Sequence, residues 1–110
     1  MNQLPVDISQ ALDDFCQELR QKLPNDIVEI RLFGSMAKGL AVTDSDIDVL
    51  IVLKNKSELV KELILETQVD INLKYDVFIS IILKSQIEFS YPAFRQSLFF
   101  RNLQEEGIML

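Results

Sequence analysis

The chain has no histidine, no tryptophan and one cysteine in 110 residues. Without histidine there is no Ser-His or Cys-His nucleophile pair, no imidazole metal ligand and no side chain whose ordinary pKa lies near neutrality. Acid–base and metal chemistry therefore falls to carboxylates. The lone Cys16 excludes an internal disulfide and a cysteine-based zinc site, and its place on the apolar stripe of a predicted helix reads as a small buried hydrophobe. Cations are also few: 11 Lys and Arg stand against 17 Asp and Glu, a net charge of −6. A field of that sign opposes duplex nucleic acid and anionic membrane surfaces. No apolar run approaches the length of a bilayer, and the opening MNQLPVDIS lacks the basic-then-apolar pattern of a leader, so a cytoplasmic protein is expected.

What is present is 48% hydrophobic and 25% charged, the composition of one compact unit expected to fill residues 1–110. A core of this size leaves no cleft between two lobes, so any chemistry is expected on an open face.

From Asp7 to Leu23, the residues Ile8, Leu12, Phe15, Leu19 and Leu23 recur at steps of three and four, the spacing of an amphipathic helix. Pro5 and Asp7 mark its start, while Arg20 and Lys22 suit its C-terminal dipole. Residues 27–33 alternate Val28, Ile30 and Leu32 with Glu29 and Arg31, predicting a strand with one buried face that ends at Gly34-Ser35. After Gly39 and the turn-prone Thr43-Asp44-Ser45, residues 47–53 form an apolar, β-branched run suited to a central strand, interrupted only by Asp48. Ser57 and Glu58 open a second long helix to about Lys74, with Leu59, Leu63 and Leu73 as core candidates and Val69-Asp70-Ile71 ambiguous between helix and loop. A strand over residues 75–83 and a helix over 92–106, stopped by Gly107, complete the chain. Phe99 and Phe100 are adjacent and cannot both face inward on one helix, which leaves one available to a partner surface. The order of elements predicts a small α/β (α+β) domain, a mixed sheet of three or four strands packed with about four helices.

The informative segment is Gly34-Ser35, ten residues, then Asp46-Ile47-Asp48. Gly34 permits a sharp turn off the strand and close approach of backbone to a bulky ligand. Ser35 sets a hydroxyl beside the free N–H groups of a helical turn over Met36-Ala37-Lys38, an arrangement that accepts phosphate oxygens. Asp46 and Asp48 are two apart in a strand, so they share a face, with Cβ atoms roughly 6–7 Å apart. Two carboxylates completed by water and phosphate suit Mg²⁺, which neutralises charge in phosphoryl or nucleotidyl transfer. Either fragment alone is an ordinary loop, but both at one fixed spacing arise by accident in on the order of one chain of this length per thousand. Asp48 inside an apolar strand is also costly against a dry core, which argues that it faces ligand or metal.

The stretch FGSMAKGLAVTDSDIDVLIVL resembles the signature of the DNA polymerase β-like nucleotidyltransferase superfamily, and in particular its minimal nucleotidyltransferases. The resemblance implies the nucleotidyltransferase fold, ATP with Mg²⁺, and transfer of a nucleoside monophosphate with release of pyrophosphate. It also implies a partner, because minimal members are often antitoxins of helical HEPN-domain ribonuclease toxins, some of which they inactivate by adding AMP to a tyrosine. Carried onto this chain, Gly34 and Ser35 hold the triphosphate and Asp46 and Asp48 the metal. Active members carry a third carboxylate on a neighbouring strand, as metal ligand and general base. Asp76, expected to open the strand running to Leu83, is the candidate here, with Asp70 a weaker alternative. Lys38 is a candidate point charge for the phosphates.

Three functions follow as expectations. The first is an adenylyl-transferring antitoxin that modifies a protein partner. The second is a nucleotidyltransferase-fold binding module that neutralises a partner by docking alone. The third is transfer to a small-molecule acceptor, for which the chain has little surface of its own. A homo- or hetero-oligomer is compatible with each.

Overall fold

The computed structural model describes Leu4, residues 6–38 and residues 46–110. The expected roles of Pro5 at a helix start and of Gly39 and Thr43-Asp44-Ser45 in a turn lie outside the described residues. In chain order the elements are α1 (Val6–Lys22), β1 (Ile27–Phe33), α2 (Gly34–Ala37), β2 (Ile47–Leu53), α3 (Glu58–Tyr75), β3 (Ile79–Ser85), α4 (Gln86–Ser90), α5 (Pro92–Arg95), α6 (Leu98–Glu106) and β4 (Ile108–Met109).

The strands form one mixed sheet in the order β3-β2-β1-β4. β1 runs antiparallel to β2, placing Phe33 opposite Asp48, and β3 runs parallel to β2, placing Ser80 beside Asp48. Because strand side chains alternate between faces, the sheet builds two apolar layers. Ile30, Leu32, Ile47, Val49, Ile51, Leu53 and Ile79 face α1 and α3, whose Leu12, Phe15, Leu19, Ile64 and Ile71 complete the larger core. Leu50 and Val52 face the other way, onto Phe89, Phe100 and Leu103 of α4 and α6. β2 is buried on both sides, which is why it reads as an unbroken apolar run.

α1 buries its predicted stripe, and Cys16 at the edge of that stripe is half-buried, its thiol pushed up to about 11 by the loss of solvent. α3 corrects the predicted inward face. Leu59 and Leu73 are exposed and Leu63 is half-buried, while Val60, Ile64, Thr67 and Ile71 point inward. The ambiguous Val69-Asp70-Ile71 stretch is helical, and Ile71 is fully buried.

The end of α3 also differs from expectation. The helix continues through Tyr75, and Asp76 closes it in the left-handed conformation at φ 52°, its N–H donating to the Asn72 carbonyl. Asp76 thus ends a helix rather than opening a strand, and β3 begins only at Ile79. An aspartate tolerates the left-handed region better than the β-branched and aromatic residues that follow it. The closing helix is likewise two: Ser97 caps a new helix by accepting from the Phe100 N–H at 3.1 Å, and so separates α5 from α6. Gly107 does end α6, in extended backbone, where a Cβ would lie 2.4 Å from the Leu103 carbonyl oxygen. Both neighbouring phenylalanines pack within the molecule: Phe100 is buried, and half-buried Phe99 stands edge-on to Phe33 at 5.3 Å between ring centres. Both lie on α6, and the packing of Phe99 on Phe33 takes up the second ring.

Candidate active site

The parallel and antiparallel pairings place the C-terminal end of β1 and the N-terminal end of β2 at one end of the sheet. Gly34, the first residue after β1, adopts φ 75°, the left-handed region in which a side chain is strained. Space demands glycine as well. A Cβ at Gly34 would lie 2.4 Å from Oδ2 of Asp48, so the carboxylate occupies the room that a side chain would take. The turn and the second aspartate are therefore one structural unit, although they are well separated in sequence.

Asp48 is half-buried and shares its sheet face with Leu50 and Val52. Burial raises its carboxyl above the ordinary value, and the negative charge of Asp46 raises it further. That coupling places the two carboxylates close enough to sense each other, with Asp46 exposed at the mouth. Ser35 is half-buried in the first turn of α2, and Met36 and Ala37 anchor that turn in the core. Two hard oxygen donors, one of them held back from ionising by burial and by its neighbour's charge, fit a divalent cation.

The remaining expected residues are Lys38 and Asp76. Lys38 forms an ion pair with Glu106 at 3.1 Å, so its charge is already engaged from the opposite end of the chain. Asp76 lies at the α3 cap, ahead of β3, and the residue beside Asp48 on β3 is Ser80. Among the described residues, no three carboxylates, cysteines or histidines gather into a metal-binding group. Glu106 and Ser80 are neighbours of the site that sequence reasoning missed. Glu106 carried no signal, whereas Ser80 would follow from the β2–β3 register once the start of β3 was known.

A model of the nucleotidyltransferase domain matches residues 12–105. The chain belongs to this family. It is a nucleotidyltransferase. A protein of Methanocaldococcus jannaschii named "putative protein adenylyltransferase" is 34% identical over 101 residues, covering 92% of this chain and 95% of its own length. A second protein of that organism and name is 46% identical over 48 residues, and there the match spans 33% of the relative's length. A crystal structure of a toxin-antitoxin with AMP-PNP shares the fold, with a TM-score of 0.56 at 16% identity, covering 88% of this chain and 70% of that one.

Proposed function

We propose that this nucleotidyltransferase moves AMP from ATP onto a hydroxyl of a protein partner, and that the partner is a helical HEPN-type toxin which the modification silences in the cytoplasm. The observation that carries the reading is the interlock of Gly34 with Asp48, which brings a phosphate-type turn against a carboxylate beside a second one. The names of the relatives and of the neighbouring toxin-antitoxin structure supply the acceptor class and the nucleotide.

In this reading the Ser35 hydroxyl and the first N–H groups of α2 hold phosphate oxygens, since the opening N–H groups of a helical turn have no partner within it. Asp46 and Asp48 would hold Mg²⁺, which supplies neutralisation of the charge that builds on the phosphates. Gly34 keeps the backbone clear so that Asp48 and the triphosphate share one space. Lys38 reaches the phosphates only by leaving Glu106, an exchange of one anionic partner for another. The acceptor hydroxyl attacks the α-phosphorus, its proton passes to a carboxylate or water at the open mouth, and pyrophosphate leaves.

The test supplies α-labelled ATP and Mg²⁺ to the chain with its co-encoded helical partner. Label should pass to that partner, and Asp46→Ala with Asp48→Ala should abolish it. Transfer that survives the double substitution would falsify the metal-ligand assignment. A docking-only role is the second reading, favoured by Asp76 closing α3 ahead of β3, with Ser80 the β3 residue beside Asp48. It requires the double variant to neutralise the partner fully with no label transferred.

A further inference from the structure

β3 is an edge strand, and its outward backbone groups are closed at both ends but open in the middle. The Phe78 carbonyl accepts from the Ile47 N–H at 2.9 Å, so the even-numbered residues of β3 turn their backbone groups to β2 and those of Ile79, Ile81, Leu83 and Ser85 turn outward. At one end the Ile79 N–H donates to Asn72 Oδ1 at 2.9 Å and its carbonyl accepts from the Gln68 amide. At the other end the Ser85 N–H donates to Glu88 Oε1 at 2.9 Å. Between them, among the described residues, the N–H and carbonyl of Ile81 and of Leu83 have no hydrogen-bond partner. An edge strand whose one charge is Lys84 lacks the prolines and repeated charges that usually guard such strands.

We propose that this window pairs with the same window of a second copy of the chain, antiparallel and two-fold about Ile82, joining two four-stranded sheets into one. The register follows from the closed ends. With Ile82 on the axis, Ile81 of one copy lies opposite Leu83 of the other, and the two exchange both hydrogen bonds, which satisfies every open group. Setting Ile81 opposite Ile81 instead would bring Leu83 against Ile79, whose groups Asn72 and Gln68 already hold. Setting Leu83 opposite Leu83 would bring Ile81 against Ser85, whose N–H Glu88 holds.

The side chains agree with that register. Ile82, 37% exposed, meets its own copy across the axis, and Lys84 meets Ser80, so no like charges face each other. Phe78, 58% exposed, falls opposite Gln86 of the second copy, beside an open groove lined by Gln86, Ile87, Ser90 and Tyr91. Leu65, exposed one turn before Gln68 on the same side of α3, extends the apolar patch along the edge. A second copy is the occupant favoured because the open N–H and carbonyl groups of Ile81 and Leu83 match those of an identical edge in one register, which also sets Ile82 against its own copy. The antiparallel arrangement sends the two nucleotide sites to opposite ends of the joined sheet. It also sets the second copy's Gln86–Tyr91 segment next to Phe78, at the end of the sheet where Asp46 stands.

Light scattering and sedimentation of the full chain at about 100 µM should give a dimer, and Ile82→Lys should give a monomer with an unchanged far-ultraviolet spectrum. Ile82→Cys should cross-link to a disulfide dimer under mild air oxidation, while Leu73→Cys, at a more exposed position, should not. A monomeric wild type overturns the proposal, as does a dimer in which Ile82→Cys links no faster than Leu73→Cys. Should Ile82→Lys fail to fold, the comparison of the two cysteine variants decides alone.

Discussion

Gly34 shows how one residue can carry two constraints, a backbone dihedral and a shared volume. Its φ of 75° alone makes alanine unfavourable by about 1–2 kcal/mol, and the added Cβ would also push the Asp48 carboxylate from its place. Gly34→Ala should therefore lower the midpoint of thermal unfolding and remove nucleotide binding together, as followed by calorimetry on one preparation. If binding survives at wild-type strength, the interlock with Asp48 is not what builds the site. Asp76 teaches the complementary lesson. Its carboxylate was legible as a residue type, but a helix cap and a strand opening differ by a turn of chain, and the left-handed cap at φ 52° put it ahead of β3.

At the scale of elements, α3 is the clearest case of pattern without phase. Leucine, valine and isoleucine occur around much of its circumference, so apolar spacing alone did not choose the inward face; packing on α1 and the sheet did. Ile71→Ala should cost about 2–5 kcal/mol, as expected for truncating a fully buried isoleucine, whereas Leu73→Ala should change stability by less than about 0.5 kcal/mol. Chemical denaturation of the two variants, two residues apart and so on opposite sides of the helix, distinguishes the observed phase from the expected one. α4 supplies a pH-dependent contact. Glu88 accepts from Lys56 and from the Ser85 N–H, and these hold its carboxyl down at about 2, below its ordinary 4.5. A depressed carboxyl stabilises the fold above its unfolded value, and that contribution is lost as pH falls from about 4.5 through about 2. Glu88→Gln can keep the bond to Ser85 but not the charge, so its stability should fall less steeply across that interval. An identical acid limb in both proteins would show that the contact contributes nothing to folding.

Over the whole molecule, the sheet order brings the end of β1 and the start of β2 together, with helices packed on both faces of the sheet. Nucleotide binding to the folded chain alone must stabilise it by mass action. ATP with Mg²⁺ should raise the unfolding midpoint, a chelator should reverse most of that rise, and Asp46→Ala with Asp48→Ala should erase the Mg²⁺-dependent part. A midpoint indifferent to Mg²⁺ in the wild type would remove the metal from the proposed chemistry. Ionic ties across the molecule hold the frame in which this happens: Asp14 of α1 accepts from Lys74 and from the Tyr75 hydroxyl, each at 2.9 Å, and both bonds draw its carboxyl down.

By itself the sequence determined the elements whose periodicity is unambiguous, namely α1, β1 and β2, and the turn whose Gly34, Ser35, Asp46 and Asp48 stand at a diagnostic spacing. Those are local or short-range properties, set by backbone sterics and by the alternation of apolar and polar side chains. Tertiary structure decided what depends on partners distant in the chain. It chose the inward face of α3, brought Glu106 to Lys38, set Ser80 rather than Asp76 beside Asp48, and closed the two ends of the β3 edge with side chains from α3 and α4. Such choices follow from which surfaces exclude water from one another once the whole chain has collapsed, and no window of sequence contains both sides of those contacts.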